Sequence, residues 1–210
     1  MLRKSIIGRK VGMSQIFDEE GKAVPVTIIE AGPCYVVQKK TLERDGYAAL
    51  QVGFQDVRED RLSKPKGGHF KKDKVKPLRF LKEMRLDEAE LNNYNVGEEI
   101  KVDIFNPGES VNVQGISKGK GYAGSIKKDG AHRGPKTHGS RYHRGPGSLG
   151  AVAAARVFKG RKLPGRMGGE RVTVQNLQVV KVDSDNNLLL VRGAVPGPRK
   201  GLLIIKDSLQ

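Results

Sequence analysis

The chain is poor in cysteine and tryptophan, with one cysteine, Cys34, and no tryptophan among 210 residues. A single cysteine excludes an internal disulfide and any zinc site built from several thiolates. No apolar run approaches the roughly 20 residues that a membrane-spanning helix needs. Residues 1–8 also lack the apolar stretch of a signal peptide. These absences predict a cytosolic, soluble protein that is not secreted.

Acidic residues are also scarce. The chain has 23 Asp+Glu against 39 Lys+Arg, a formal net charge of +16, and aromatic residues are only 5% of the sequence. Such a balance causes self-repulsion in the isolated chain and therefore predicts an acidic partner. Nucleic acid is the commonest partner of this kind, and an anionic membrane surface is the second possibility.

The positive charge is concentrated in one part of the chain, residues 115–171, which we call the basic segment. It has 14 basic and 2 acidic residues, and it contains 14 of the 27 glycines and three of the four histidines. Residues 58–85 have a net charge of +7, and residues 86–114 have a net charge of −6. The outer parts, 1–57 and 172–210, are nearly neutral. The partner is therefore expected to bind mainly the basic segment.

Short β-rich runs separated by turn residues indicate a mainly β fold, either a barrel or a sandwich. The predicted strands are residues 13–17, 23–31, 35–40, 48–54, 99–105, 111–114, 172–182, 188–192 and 202–206. The predicted short helices are residues 67–73, 89–94 and 124–128. We expect the N- and C-terminal strands to share one β-barrel.

The predicted domain organisation has two parts. Residues 1–114 and 172–210 form the barrel, with a basic helical and loop insert at about residues 58–94. Residues 115–171 form a long, glycine-rich internal loop.

The basic segment has neither helical nor strand periodicity and few apolar residues. Such a sequence cannot bury enough apolar surface to offset the entropy of ordering. RNA supplies the missing contacts, because arginine binds phosphate in a bidentate manner and glycine lets the backbone approach closely. Aromatic residues among the charges favour RNA over a disordered, solvated linker. No helix-turn-helix, homeodomain or zinc-finger pattern points to duplex DNA.

The candidate RNA-binding residues are 13 of the 14 cations and four of the rings of this segment. The cations are Lys118, Lys120, Lys127, Lys128, Arg133, Lys136, Arg141, Arg144, Arg156, Lys159, Arg161, Lys162 and Arg166. The candidate stacking residues are Tyr122, Tyr142, His138 and His143. In the second basic region, residues 63–72, a solvated helix face and an RNA contact are both open interpretations.

Residues 119–124 match the pattern G-x-G-x-x-G of dinucleotide-binding loops. Such a site needs an acidic residue about 20 positions further on, for the ribose hydroxyls. None lies between Asp129 and Glu170, and the surrounding βαβ pattern is absent. A nucleotide cofactor is therefore not expected.

Histidines and serines in the basic segment do not form a chemical site. His132, His138 and His143 have neither the spacing of a helical metal pair nor a neighbouring carboxylate or thiolate. No nucleophile-elbow motif surrounds Ser140 or Ser148. The sequence therefore predicts no enzymatic activity, no cofactor and no bound metal ion.

Ordered motifs run along the whole chain. They are residues 7–15 (IGRKVGMSQ), 65–70 (PKGGHF), 117–124 (SKGKGYAG), 133–135 (RGP), 137–140 (THGS), 143–148 (HRGPGS), 157–160 (VFKG), 165–168 (GRMG) and 171–177 (RVTVQNL). Together they resemble the L-three family of bacterial large-subunit ribosomal proteins.

The resemblance implies a translation-protein-type β-barrel whose internal loop extension runs toward the peptidyl transferase centre. It also implies a structural, non-enzymatic protein that binds large-subunit rRNA directly and early in ribosome assembly. We expect its partners to be this rRNA and neighbouring large-subunit proteins in the cytoplasmic ribosome, with no membrane and no second copy of the chain.

The sequence departs from the family pattern at one place. Some bacterial relatives carry a methylated glutamine after a Pro-Gly-Ser-x-Gly run, whereas here Gly150 is followed by the sequence AVAAA at residues 151–155. We therefore expect no glutamine methylation in this segment.

Two other classes remain open alternatives on the sequence. A free regulatory protein would bind a short, discrete RNA or DNA site outside the ribosome. An assembly factor would bind the same rRNA but leave the mature particle.

Overall fold

The computed structural model describes residues 4–72 and 75–208, and within them the chain is mainly β, as the sequence predicted. The strands are β1 (Ser5–Phe17), β2 (Ala23–Ala31), β3 (Cys34–Lys40), β4 (Ala49–Asp56), β5 (Leu78–Arg85), β6 (Glu99–Ile100), β7 (Ser110–Ile116), β8 (Tyr122–Ala123), β9 (Gly165–Arg166), β10 (Arg171–Asp183), β11 (Leu188–Arg192) and β12 (Leu202–Asp207). The α-helices are α1 (Leu42–Asp45), α2 (Lys64–Lys72), α3 (Glu88–Leu91) and α4 (Ser125–Asp129). Single 3₁₀ turns lie at Glu59–Arg61, Val102–Ile104 and Val152–Ala154.

The chain divides into two units. We call Met1–Ile116 with Arg171–Gln210 the barrel unit, and Ser117–Glu170 the loop unit.

Six strands of the barrel unit form a closed barrel in the order β1-β12-β7-β10-β11-β2, and all neighbours are antiparallel. The first and last strands pair directly, with Ser5 opposite Lys206. The strands β7 and β10, which precede and follow the loop unit in sequence, also pair, with Ile116 opposite Arg171. The chain therefore leaves the barrel and re-enters it at paired positions of neighbouring strands.

The barrel core follows the two-residue period of a strand. Val111 and Val113 on β7, Leu189 on β11, and Leu203 and Ile205 on β12 are fully buried, while the residues between them are partly exposed. Each such burial stabilises the fold by roughly 1.5–3 kcal/mol. The sequence predicted these three strands from short runs of β-forming apolar residues between turns, and the alternation of buried and partly exposed positions is seen only in the structure.

A separate four-stranded sheet lies in the barrel unit, in the order β5-β4-β3-β6. The strands predicted at residues 35–40 and 48–54 belong to this sheet and not to the barrel. Alternating apolar residues predict a strand but do not say which sheet it joins, because the pairing depends on distant parts of the chain.

The prediction of a strand at residues 99–105 was wrong over most of its length. Only Glu99–Ile100 is a strand, and Val102–Ile104 is a 3₁₀ turn. Val102 and Phe105 are both buried, and the backbone N–H of Phe105 donates to the carbonyl of Val102 at 3.1 Å. A spacing of three residues on one buried side suits a 3₁₀ turn and not a strand.

Several strand regions were missed, including the two short strands β8 and β9 inside the basic segment, which was predicted to be a loop. The strand β1 begins at Ser5 and not at the predicted residue 13. The prediction missed its first part because Gly8, Arg9 and Lys10 interrupt the apolar pattern of the sequence. The strand β5 lies inside the region predicted as a helical and loop insert; Leu78 and Met84 are buried on it, but its other positions are mostly charged or partly exposed.

The helices α2, α3 and α4 lie close to the predicted positions, although α3 ends at Leu91 and not at residue 94, and the helix α1 was not predicted. The helix α2 covers the predicted residues 67–72 and begins three residues earlier, whereas residue 73 lies outside the described residues. Phe70 of α2 packs with Val37 and Leu78 in a small second core. No helix in residues 4–72 and 75–208 is long and apolar enough to cross a membrane.

Cys34 is a structural residue of the barrel unit. Its thiol is buried and donates a hydrogen bond to the carbonyl oxygen of Ile7 at 3.3 Å. Burial raises the pKa of the Cys34 thiol from 9.0 to about 12. The thiol therefore stays protonated and unreactive in the folded protein.

Candidate nucleic-acid interface

The loop unit carries a dense and exposed positive charge. It has 13 Lys+Arg against 2 Asp+Glu, and its cations are the 13 that the sequence analysis named. All 13 of these residues are exposed to solvent. Among residues 4–72 and 75–208, only Lys128 of these 13 forms an ion pair, with Asp129 at 3.9 Å. Twelve cations therefore have no carboxylate to neutralise them, and their charge is available to an anionic partner.

Backbone hydrogen bonds tie the two ends of the loop unit together. The N–H of Ser117 donates to the carbonyl of Glu170 at 2.8 Å, and that of Lys120 donates to Met167 at 2.9 Å. Further along, β8 pairs with β9, and Tyr122 lies opposite Arg166. A stacking ring and a guanidinium therefore occupy paired positions in a two-stranded ladder.

The short helix α4 follows this ladder. Ser125 is buried at its first turn, whereas Lys127 and Lys128 are exposed at its last turn. The ammonium of Lys128 donates to the carbonyl of Leu163 at 3.3 Å. Lys128 therefore also joins the two halves of the loop unit.

Two copies of the sequence Arg-Gly-Pro, at residues 133–135 and 144–146, enclose a turn that we call the RGP turn (residues 133–146). The N–H of Gly134 donates to the carbonyl of His143 at 3.1 Å. The Nδ1 of His143 lies 2.9 Å from the carbonyl oxygen of Pro135, and because a carbonyl only accepts, Nδ1 is the protonated ring nitrogen. The two ends of the turn are therefore bonded to each other.

The ring of Tyr142 fills the centre of the RGP turn. Its hydroxyl donates to the carbonyl of Gly145. A Cβ atom added at Gly145 would lie 2.5 Å from Cε2 of the ring, and one added at Gly134 would lie 2.7 Å from Cδ1 and would overlap the Tyr142 carbonyl oxygen. Both positions therefore need glycine, because the ring leaves no room for a side chain.

The four predicted stacking residues are not equivalent. Tyr122 is 80% exposed, whereas Tyr142 is 45% exposed and packs inside the RGP turn. His143 is held by Pro135, and His138 has a positive φ of 59°. The geometry therefore makes Tyr122 the best placed of the four for stacking on a base, whereas the Tyr142 ring also packs within the RGP turn.

Sequence reasoning did not separate the cations that shape the loop unit from those that are free. The guanidinium of Arg161 donates to the carbonyls of Pro146 at 3.0 Å and Ser148 at 2.5 Å, and so holds the segment after the RGP turn. The guanidinium of Arg156 lies 5.5 Å from the centre of the Phe158 ring. In the sequence, the repeated Arg-Gly-Pro is the signal that marks the RGP turn, the part of the loop unit held together by its own hydrogen bonds.

A cavity of about 420 Å³ opens on the RGP turn. It is lined by Arg133, Gly134, Lys136, His143 and Arg144. No carboxylate contributes to its lining, so the cavity is suited to an anion.

The helix α2 presents a second, smaller cationic surface on the barrel unit. Lys64, Lys66 and Lys72 are exposed and make no ion pair among the described residues, whereas Lys71 lies 3.9 Å from Glu59. Phe70 fixes this helix to the sheet beneath it.

In residues 4–72 and 75–208 no three His, Cys, Asp or Glu side chains gather in a way that could hold a metal ion.

Comparison with known proteins gives a consistent result over the whole chain. A family profile described as ribosomal protein L3 matches residues 85–188. The large ribosomal subunit protein uL3 of Carboxydothermus hydrogenoformans is 62% identical over 207 residues, covering 99% of this chain and 98% of the relative. The proteins of the same name from Heliobacterium modesticaldum and Geobacillus stearothermophilus are 59% and 58% identical, covering 100% of this chain and 99% and 97% of the relatives.

Proposed function

Because the chain belongs to the ribosomal protein L3 family, we propose that it binds large-subunit rRNA directly through its loop unit. The chain is a structural component of the large ribosomal subunit in the cytoplasm, and not an enzyme. The proposal concerns how it performs this role: the barrel unit docks and fixes position, and the loop unit orders RNA around itself.

The observation that carries the proposal is the charge of the loop unit. Thirteen exposed cations occupy 54 residues, and among residues 4–72 and 75–208 only Lys128 of the thirteen forms an ion pair. Such a surface repels itself unless an anionic partner supplies the missing charge. The phosphate backbone of rRNA supplies it continuously, and counterions released from the RNA drive the association.

We propose that phosphate and base contacts come from the whole set of candidate residues. The cations are Lys118, Lys120, Lys127, Lys128, Arg133, Lys136, Arg141, Arg144, Arg156, Lys159, Arg161, Lys162 and Arg166, and the rings are Tyr122, His138, Tyr142 and His143. By cancelling phosphate repulsion, they would hold RNA helices from different parts of the molecule side by side.

The finer features of the proposal concern the family fold and the place of the loop in the ribosome. We propose a translation-protein-type barrel formed by residues 1–114 and 172–210, with residues 115–171 extending toward the peptidyl transferase centre. Binding early in assembly suits a loop unit that neutralises phosphates before the RNA is compact. Neighbouring large-subunit proteins are the expected protein partners, with no membrane and no homo-oligomer.

Competition binding tests the proposal. We expect the intact chain to bind a large-subunit rRNA transcript in the presence of excess tRNA, because only the rRNA presents the folded site. A free regulatory protein would instead retain its affinity for a short RNA or DNA fragment. Equal binding of rRNA and tRNA would contradict the proposal, since charge alone would then explain the affinity.

Tyr122→Ala is expected to weaken rRNA binding by roughly 1–3 kcal/mol, the contribution of one stacked base. Tyr122 is 80% exposed, so the substitution removes an aromatic ring without removing charge or core packing. Filter binding of the rRNA transcript measures the change, and Tyr122→Phe is the matched control that keeps the ring. If the alanine and phenylalanine variants bind alike, Tyr122 does not stack on RNA.

A further inference from the structure

From the cavity on the RGP turn we infer a preformed phosphate site, in which Arg133, Lys136, His143 and Arg144 bind one backbone phosphate of RNA. The inference rests on the proposed function and deepens it, because it names a particular anion site within the loop unit. The site is formed by the RGP turn itself and so exists before RNA binds, whereas Lys159 and Lys162 lie outside its lining.

The chemistry of the cavity lining supports an anion. Two guanidinium groups, one ammonium and one imidazole line a cavity of about 420 Å³ with no carboxylate among them. Placing the two guanidinium groups and the ammonium around one concavity costs repulsion that an anion would remove. Arginine pairs with phosphate through two parallel hydrogen bonds, so two arginines favour a phosphate group over a single carboxylate.

The backbone of the RGP turn holds these groups in place without RNA. Gly134 donates to the carbonyl of His143, and His143 is bonded through Nδ1 to the carbonyl of Pro135. Its other ring nitrogen, Nε2, makes no hydrogen bond within residues 4–72 and 75–208, and it can donate to a phosphate when both ring nitrogens carry a proton. The Tyr142 hydroxyl donates to Gly145, which lies next to Arg144. The two arginines come from the two Arg-Gly-Pro copies, and the Tyr142 ring sets the separation of these copies.

The volume of the cavity favours RNA over a free ion. A cavity of about 420 Å³ lies in the range of roughly 300–1,000 Å³ that small organic ligands occupy. It therefore has room for a phosphate with its attached ribose. An acidic protein segment is the competing partner, and the test includes a carboxylate probe to separate the two.

The direct test follows the four histidine ring signals of the intact chain by NMR at constant pH and ionic strength. Inorganic phosphate, added in exchange for chloride, is expected to shift the His143 signal in a saturable way and to shift His132 and His138 less. Arg133→Gln with Arg144→Gln should abolish the saturable shift. Equal shifts for the three histidines, an unchanged response in the double variant, or a stronger response to acetate than to phosphate would each overturn the inference.

The RNA test compares two pairs of substitutions that remove the same charge. Arg133→Gln with Arg144→Gln is expected to weaken rRNA binding roughly tenfold to a hundredfold, since charge-assisted hydrogen bonds are lost. Lys159→Gln with Lys162→Gln removes two exposed cations outside the cavity lining, and should cost only a few-fold. Equal losses in the two pairs would overturn the phosphate site while leaving the proposed rRNA binding intact.

A variant without charge change tests the preformed geometry. Gly134→Ala places a methyl group against the Tyr142 ring and carbonyl, so it should open the RGP turn and weaken both phosphate and rRNA binding about tenfold. Gly119→Ala is the matched control, because a Cβ there meets no atom within 4 Å. If Gly134→Ala binds phosphate and rRNA as well as Gly119→Ala does, the site is not preformed by this turn. If the unmodified chain binds rRNA and tRNA equally well, the proposed function is contradicted. The phosphate titration would still show whether the RGP turn binds phosphate.

Discussion

Deletion of residues 118–167 is expected to lower the affinity for large-subunit rRNA by on the order of a thousandfold or more. The deleted residues contain 13 of the 39 Lys+Arg and one of the 23 Asp+Glu, so the net charge falls from +16 to +4. If the loop unit carries most phosphate contacts, little beyond non-specific attraction remains. Filter binding with tRNA competitor measures the loss.

The barrel unit is expected to stay folded in this deletion. Ile116 and Arg171 are paired residues of β7 and β10, and the N–H of Ser117 is bonded to the carbonyl of Glu170. After the deletion, only Ser117, Gly168, Gly169 and Glu170 join the two strands. A four-residue connection that contains two glycines suits an antiparallel hairpin. Far-UV circular dichroism and a cooperative thermal transition would verify that the barrel remains.

The control for the deletion is a chain in which residues 118–167 are shuffled, with composition and charge unchanged. We expect the shuffled chain to bind rRNA and tRNA alike, because it keeps the charge but loses the RGP turn and the β8–β9 ladder. If the deletion binds rRNA as tightly as the intact chain, the barrel unit carries recognition and the central proposal is wrong.

The substitution Phe105→Ala is expected to destabilise the barrel unit by roughly 3–5 kcal/mol, the usual cost of removing a buried phenyl ring. Phe105 is the largest of the fully buried side chains, and it lies at the end of the 3₁₀ turn Val102–Ile104 in the main core cluster. Urea unfolding followed by far-UV circular dichroism measures the change, since the chain has no tryptophan to report by fluorescence.

The matched control for this prediction is Phe17→Ala, because Phe17 is 67% exposed at the end of β1. The same chemical change there should alter the free energy of unfolding by less than about 0.5 kcal/mol. Similar losses at both positions would show that the packing around Phe105 does not stabilise the fold as described.

The sequence was most informative where a short run of β-forming apolar residues is bounded by turn residues. Residues 188–192 were predicted as a strand and form β11, because Leu189 and Val191 point into the barrel core. The same reasoning missed β5, whose buried residues Leu78 and Met84 are six positions apart among charged neighbours. The strand β5 forms because it pairs with β4, and such pairing produces no pattern in the local sequence of β5.

The candidate interface could be located from charge and glycine content, but its internal organisation could not. Charge is a property of composition, so the basic segment is visible without a structure. The packing of Tyr142 between Gly134 and Gly145, by contrast, depends on contacts that periodicity does not encode. Tyr122 and Tyr142 are therefore alike in the sequence and different in the structure, where one is exposed and the other packs.

The central claim is that many cations of the loop unit contact phosphate at the same time, and a salt titration of rRNA binding by the intact chain tests it most directly. If roughly eight cations touch phosphate, the logarithm of the binding constant should fall with the logarithm of the salt concentration with a slope of about −6, at about 0.7 per contact. The deletion of residues 118–167 should give a much shallower slope. A slope near −1 for the intact chain, on the order of one released counterion, would contradict the account.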